Sequence, residues 1–316
     1  MNQGFKPPVL FIIFNRPETT KKVFARIREA RPEYFFIAAD GPRADKTEEK
    51  EKCEAARQIA TQVDWPCEVK TLFRDKNLGC GAAVSSAIDW FFDNIEQGII
   101  LEDDCLPCPS FFGFCTEMLE RYADEANVMM ISGSNPAIEL DQMTDDYFFS
   151  RNYNVWGWAT WARAWKLYDR EMKFWPAEKK TDFLKKAYPH RLVRDYFKEG
   201  FDQVYNKEVD TWDFQWAYSC LKNGGLSIMP KLNQVSNIGQ AGTHTGQEVS
   251  GALFRKTALI DLDHLQHPAA VQEDAALDLI LFEAAGLTRR TIKQRLVRLL
   301  LELRLFKVFQ KIINAF

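Results

Sequence analysis

The sequence predicts an α/β fold in which a mainly parallel, Rossmann-like sheet with flanking helices is followed by a C-terminal amphipathic helix. Two observations favour this fold. Short continuous apolar runs, which are typical of strands covered on both faces, alternate with helical patterns through the first hundred residues. A β-α-β order of this kind also implies right-handed crossovers between parallel strands.

Each element of this alternation has its own evidence. The apolar run at 9–14 predicts the first strand, and Pro17 suits the first turn of the helix that follows. The run at 34–39 predicts a second strand, which stops at the Asp-Gly-Pro turn beginning at Asp40. The next predicted elements are a helix at about 46–62, a strand at 68–73, a helix at about 82–92 and a fourth strand at 99–101.

The fourth predicted strand delivers three consecutive acids, Glu102, Asp103 and Asp104, into a turn. Adjacent carboxylates repel one another, so a strand end that collects three of them favours a shared cation. Carboxylates that leave other ligand positions to water and substrate phosphates suit Mg²⁺ or Mn²⁺. The sequence therefore indicates a metal-bound anionic substrate, with a solvated acidic turn as the alternative.

Polar residues follow the other predicted strands. Arg16 follows the first strand, Asp40 the second, and Arg74 and Asn77 the third. The carboxyl ends of parallel strands meet at one edge, where open α/β sheets bind ligands, so we expect these residues to bind a nucleotide. An arginine can pair with phosphate and an aspartate can accept a hydrogen from a base, although each could equally cap a helix or a turn.

The second half of the chain concentrates tryptophans around one carboxylate. Trp158 and Trp212 lie in aromatic segments that could contact a sugar, since indole faces cover sugar C–H surfaces. Asp213 lies between aromatic residues, where partial removal from water would raise its affinity for a proton and suit a role as general base. The alternatives are core packing for the indoles and a helix N-cap for Asp213.

Composition argues against several classes of function. The formal net charge is -3 for 316 residues, which gives no sign of nucleic-acid binding. Seven cysteines, an odd number, suggest reduced thiols, and the Cys105 to Cys108 spacing lacks a second pair for zinc. No secretory signal or membrane-spanning segment is apparent, so we expect a cytoplasmic protein.

Several motifs follow one another along the chain: Asn15-Arg16-Pro17, Asp40, Glu102-Asp103-Asp104 with the Pro-Ser-Phe-Phe segment after it, Gly157-Trp158, Trp212-Asp213 and Gly242-Thr243-His244-Thr245-Gly246. In this order they resemble the motifs of inverting GT-A glycosyltransferases, in particular the N-acetylglucosaminyltransferase I type of the nucleotide-diphospho-sugar transferases. The resemblance covers roughly residues 9–246, with one departure, because Phe214 stands where the family has a second acid after the base.

The resemblance implies metal-dependent transfer of a sugar from a nucleoside diphosphate sugar, with uridine (UDP) favoured, to a hydroxyl of a glycan or lipid-linked acceptor. Asp104 would bind Mn²⁺ or Mg²⁺, and Asp213 would be the base. Glu102 and Asp103 would contact the donor sugar and the ribose. Asp40 would contact the nucleobase, and Arg16 would contact the diphosphate. A loop from Ser236 to Gly246 would close over the donor, and His244 in this loop would contact phosphate or metal.

The C-terminal segment is basic and amphipathic. From Arg289 onward basic residues are opposed only by Glu302, and apolar residues recur at spacings of three and four. We expect this helix to lie on a membrane surface, with packing on the domain or joining two chains into a homo-oligomer as alternatives. The predicted divisions are a GT-A domain at 1–260, with a nucleotide half at 1–104 and an acceptor half at 105–260, a helical linker at 261–287 and the basic helix at 288–316.

Two other functions remain open from the sequence. A sugar nucleotidyltransferase would share the base-binding half and the metal, but such enzymes usually open with a Gly-rich basic phosphate loop, which residues 9–20 lack. A catalytically silent, membrane-associated binding protein would keep the fold without turnover. The presence of both Asp104 and Asp213 argues against it.

Overall fold

The computed structural model describes residues 6–137, 140, 143–239 and 256–287. The strands in this part of the chain are β1 Val9–Ile13, β2 Tyr34–Ala39, β3 Glu68–Phe73, β4 Gln97–Glu102, β5 Cys105–Pro107, β6 Val128–Ser132, β7 Tyr147–Ser150, β8 Trp158–Trp161, β9 Leu226–Pro230 and β10 Val235–Asn237. The helices are α1 Pro17–Ala30, α2 Glu49–Ala60, α3 Cys80–Phe92, α4 Ser110–Arg121, α5 Ala162–Trp165, α6 Trp175–Glu178, α7 Phe183–Ala187, α8 Arg191–Tyr205, α9 Asp213–Lys222 and α10 Ala275–Ala284.

Eight strands form one sheet in the order β3-β2-β1-β4-β8-β6-β9-β7. The first four in chain order pair in parallel, and β6 pairs in parallel with β9. Among the described strands of this sheet, only β7 and β8 run antiparallel to their neighbours. The sheet is mainly parallel with flanking helices, which confirms the predicted Rossmann-like α/β fold. It takes strands from both predicted halves of the 1–260 domain.

Both faces of the central strands are covered, which explains the continuous apolar runs in β1, β2 and β4. Along β1, Val9 and Phe11 belong to the core cluster on one side, and Leu10 belongs to the cluster on the other. Helix α1 contributes Ile27 to the first cluster, and α3 contributes Phe91 to the second. A strand buried on both faces cannot alternate polar and apolar residues.

The acidic strand is longer than the sequence predicted. β4 continues through Glu102, which pairs in register with Ile12 of β1, so the first acid lies in the strand and not in the turn. Ala39 at the end of β2 is opposite Ile13 of β1 and Phe73 of β3. Parallel register therefore brings the carboxyl ends of β1 to β4 to one edge.

The expected helical linker at 261–287 contains one helix, α10, near its end. The helix packs on the sheet, because Leu281 and Phe282 are buried and Asp278 accepts hydrogen bonds from the Ser150 hydroxyl and the Arg151 N–H. The basic segment at 288–316 lies outside the described residues. Within the described ranges, no helix has both the length and the apolar character needed to cross a membrane.

Candidate functional site

Donors from the end of β1 hold the acidic turn. The Phe14 N–H donates to Asp103 Oδ2 at 3.0 Å, and Arg16 Nη1 donates to Asp103 Oδ1 at 3.1 Å. The same arginine nitrogen also donates to Asp104 Oδ2. Arg16, which we expected to contact a diphosphate, therefore binds Asp103 and Asp104 instead. Its positive charge offsets the repulsion between these carboxylates. Asp103, expected to contact ribose, is buried and has both oxygens occupied.

Three acids share one guanidinium at this turn. Burial raises the pKa of Glu102, and the charges of Asp104 and Asp103 raise it further. Burial also raises the pKa of Asp103, and the guanidinium of Arg16 opposes this rise without cancelling it. One guanidinium is too little positive charge to keep all three acids ionised, so these acids bind protons readily, and a further cation could take the place of those protons.

The donor set fits a metal ion that takes few ligands from the protein. In the described part of the chain, no three histidine, cysteine or acidic side chains converge as ligands for one ion. Asp104 is partly exposed, with 16% of its side chain accessible, and Glu102 is half-buried beside it. One or two carboxylates of this kind, completed by water and phosphate oxygens, suit Mg²⁺ or Mn²⁺.

Asp213 approaches the acidic turn from the other half of the chain. It is half-buried at the first position of α9, and its Oδ1 accepts hydrogen bonds from the Thr211 hydroxyl and the Phe214 N–H. Its charge contributes to the raised pKa of Glu102, after burial and the other two acids of the turn. Asp213 therefore lies within electrostatic reach of Glu102.

The helix N-cap alternative for Asp213 is wrong. The N-cap position of α9 is Trp212, whose side chain makes no capping hydrogen bond. Asp213 stands one residue further on, within the first turn, where a negative charge interacts favourably with the helix dipole.

The segment before Asp213 is fixed against the start of α3. The Gly81 N–H donates to Asp210 Oδ1 at 3.1 Å. At Gly79, where φ is +79°, an added Cβ would lie 2.4 Å from Asp210 Oδ2. At Gly81 it would lie 2.8 Å from the Thr211 carbonyl oxygen. These two glycines thus allow close approach of the Asp210 segment, which places Asp213 relative to the sheet.

Asp40 and Asn77 contact each other. The carboxylate of Asp40 accepts hydrogen bonds from the N–H groups of Gly41 and Leu78 and from Asn77 Nδ2. Burial raises the pKa of Asp40, and these backbone donors oppose the rise. Asp40 and Asn77, which we expected to touch the nucleotide, therefore join the loops after β2 and β3. The Gly41 N–H is buried and the Leu78 N–H is partly buried, so both need an acceptor. Arg74, expected to bind the nucleotide, donates to the Ser86 hydroxyl at 2.8 Å.

Sequence reasoning missed three charged residues that support this edge. Buried Glu49 accepts from Asn15 Nδ2 at 3.0 Å and from Arg43 Nε at 2.9 Å. Arg57 donates to the Asp40 and Arg74 carbonyls. Asp210 is the third. Glu49 and Arg57 lie in a charged helix, where no local pattern distinguishes them from solvated residues.

The indoles of Trp158 and Trp212 are buried, with 1% and 2% exposure. Their rings stack on each other with centroids 5.6 Å apart, and Trp165 and Trp216 pack around them. The structure corrects the expected sugar contact, since the faces that would cover a sugar are covered by other indoles. The ring N–H of Trp158 has no partner among the described residues.

Ser236 lies in a segment that passes over the acidic turn. β10 pairs antiparallel with β5, with Ser236 opposite Leu106. The Ile238 N–H donates to the Asp104 carbonyl at 2.7 Å, and a Cβ on Gly239 would lie 2.7 Å from Asp104 Oδ2. The start of the predicted closing loop thus contacts the proposed metal ligand, while His244 lies outside the described residues.

Comparisons with known proteins identify no family for the chain. No family model matches it, and no curated protein matches it. A solved structure of UDP-glucose pyrophosphorylase complexed with UDP-glucose matches with 14% identity and a TM-score of 0.27. The match covers 46% of this chain and 63% of that one. With so low a TM-score, the similarity carries no argument about function, and the resemblance to the N-acetylglucosaminyltransferase I type stays a prediction.

Proposed function

We propose that the protein is a metal-dependent inverting glycosyltransferase of the GT-A type, which moves a sugar from a UDP-sugar to a hydroxyl of a glycan or lipid-linked acceptor. The observation that carries the proposal is the position of Asp213. A half-buried carboxylate from the second half of the chain lies within electrostatic reach of Glu102, at the edge where open α/β sheets bind ligands.

The acidic turn is the proposed donor site. Asp104 would hold Mn²⁺ or Mg²⁺, with Glu102 beside it, and a divalent cation bound there would offset charge on the departing diphosphate. Asp103 holds the turn against the end of β1 through the hydrogen bond from the Phe14 N–H. The loops clasped by Asp40 would form the wall for the nucleobase.

Asp213 is the proposed general base. Both of its hydrogen bonds from described residues reach Oδ1, which leaves Oδ2 to take the proton of the acceptor hydroxyl as that oxygen attacks the anomeric carbon. The bond from the acceptor oxygen to that carbon forms while the bond to the diphosphate oxygen breaks. A single base acting in one displacement implies inversion.

The variant Asp213→Asn tests this role. UDP-sugar binding should persist, because the turn and Asp104 are unchanged, and turnover should fall by about a hundredfold or more. Asp263→Asn, at an exposed acid, serves as the control that keeps turnover. Undiminished turnover in Asp213→Asn would contradict the assignment.

Two activity assays separate the proposal from its alternatives. A nucleotidyltransferase would form a UDP-sugar from UTP and a sugar phosphate. A silent binding protein would bind UDP-sugars without releasing UDP, even in the wild-type chain.

Membrane contact by residues 288–316 remains part of the proposal. Its support is the excess of basic residues in this segment. Removal of 288–316 should weaken sedimentation of the protein with anionic vesicles, and equal sedimentation with and without the segment would contradict the contact.

A further inference from the structure

We infer that Arg16 blocks the metal ligand Asp104 until a nucleoside diphosphate arrives, so that the site accepts the cation together with the nucleotide. This inference rests on the proposed function. The guanidinium of Arg16 pairs with both Asp103 and Asp104.

The contact is in direct competition with a cation. Arg16 Nη1 donates to Asp104 Oδ2. Of Asp103 and Asp104, Asp104 has the more exposed side chain, so it is the better placed of the two to bind a metal. A divalent ion at Asp104 would lie beside this guanidinium, and like charges at that separation repel strongly in a partly buried site. A metal ion that binds alone must therefore displace Arg16.

The acids keep their positions when the guanidinium leaves. Asp103 retains the hydrogen bond from the Phe14 N–H, which comes from backbone and does not depend on Arg16. The backbone of Asp104 is held by the Ile238 N–H at 2.7 Å. Departure of Arg16 thus frees a formed ligand site without unfolding the turn.

Arg16 is partly accessible, and a bound diphosphate would offer it a new partner. It precedes α1 at the N-cap position without making a side-chain capping bond, and 24% of its side chain is exposed. When a diphosphate binds with the metal, its oxygens give the displaced guanidinium a new anionic partner. With metal alone, the guanidinium loses its contact with Asp104, and no phosphate oxygen replaces that contact. Metal and nucleotide binding are therefore positively coupled through this side chain.

Direct binding of Mn²⁺ tests the coupling without any measurement of turnover. Free Mn²⁺ is measured by electron paramagnetic resonance in titrations of MnCl₂, with and without UDP. In Arg16→Gln, Mn²⁺ alone should bind about tenfold more tightly than in the wild type, and the gain from UDP should shrink by a similar factor. Arg16→Lys keeps one positive charge at the site, so it should retain much of the coupling.

The controls separate this inference from the proposed function. Arg28→Gln removes an arginine that pairs with Asp64 on the surface, and it should leave Mn²⁺ binding unchanged. If the wild type binds Mn²⁺ with UDP but Arg16→Gln binds Mn²⁺ alone no more tightly, the inference is overturned and the proposed function stands. If the wild type binds no Mn²⁺ even with UDP, both are overturned.

Discussion

The buried carboxylate of Asp278 should make stability fall as the pH rises. It is 5% exposed at the contact between α10 and β7. Burial raises its pKa from an ordinary value of 3.8 to about 6, although hydrogen bonds from Ser150 and the Arg151 N–H oppose the rise. Because the folded-state pKa is the higher one, the folded protein holds this proton more tightly than the unfolded chain does.

The size and sign of the effect follow from that difference. One pKa unit equals about 1.4 kcal/mol, so the stabilisation that protonation gives is about 3 kcal/mol. It is fully present below about pH 4 and is lost as the pH rises through 6. Asp278→Asn removes the titration, at a cost of about 1–3 kcal/mol for one unmatched amide group, which does not vary with pH.

Urea unfolding of both proteins between pH 4 and pH 8 measures this effect. The variant should be the less stable protein at pH 4, and the difference should shift by about 3 kcal/mol in its favour by pH 8. A difference in unfolding free energy that stays constant across this pH range would refute the reasoning.

Two further substitutions test how the site is held together. Gly79→Ala should destabilise the protein by about 1–3 kcal/mol, through positive φ and a Cβ clash with Asp210. The loss should exceed that of Gly224→Ala, where φ is +66° but an added Cβ would have no non-adjacent atom of the described residues within 4 Å. Equal losses in thermal unfolding would show that the clash is unimportant. Asp40→Ala should cost about 1–3 kcal/mol in urea unfolding, because the buried Gly41 N–H and the partly buried Leu78 N–H lose their acceptor. A loss within experimental error would mean that water replaces the carboxylate.

The sheet could be predicted from sequence because its central strands β1, β2 and β4 are short apolar runs, while the edge strand β3 mixes polar and apolar residues. The bounds predicted for β2 and β3 match the structure. β4 was placed too short, since its end at Glu102 depends on pairing with Ile12 in another strand. Helix α3 begins two residues before the predicted start, where Gly79 adopts positive φ.

The site was harder to predict than the sheet, because side chains choose partners that are distant in the sequence. Charge repulsion alone indicates that the acids need a cation. That Arg16 is this cation depends on the pairing of β1 with β4, which brings the ends of the two strands together. The tryptophan pattern of Trp158 and Trp212 does not distinguish a sugar site from a core, since large apolar side chains serve both. Only the stacked geometry of the two indoles places them in the core.

The central claim is that the acidic turn binds a nucleoside diphosphate through a metal at Asp104. Thermal unfolding with UDP and UDP-sugars, with and without MnCl₂, tests it most directly. A ligand at a hundred times its Kd stabilises the folded state by about 2.7 kcal/mol, so the Tm should rise by several degrees when Mn²⁺ is present. The account predicts that this rise disappears in Asp104→Ala. No rise with any nucleotide, or the same rise in Asp104→Ala, would contradict it.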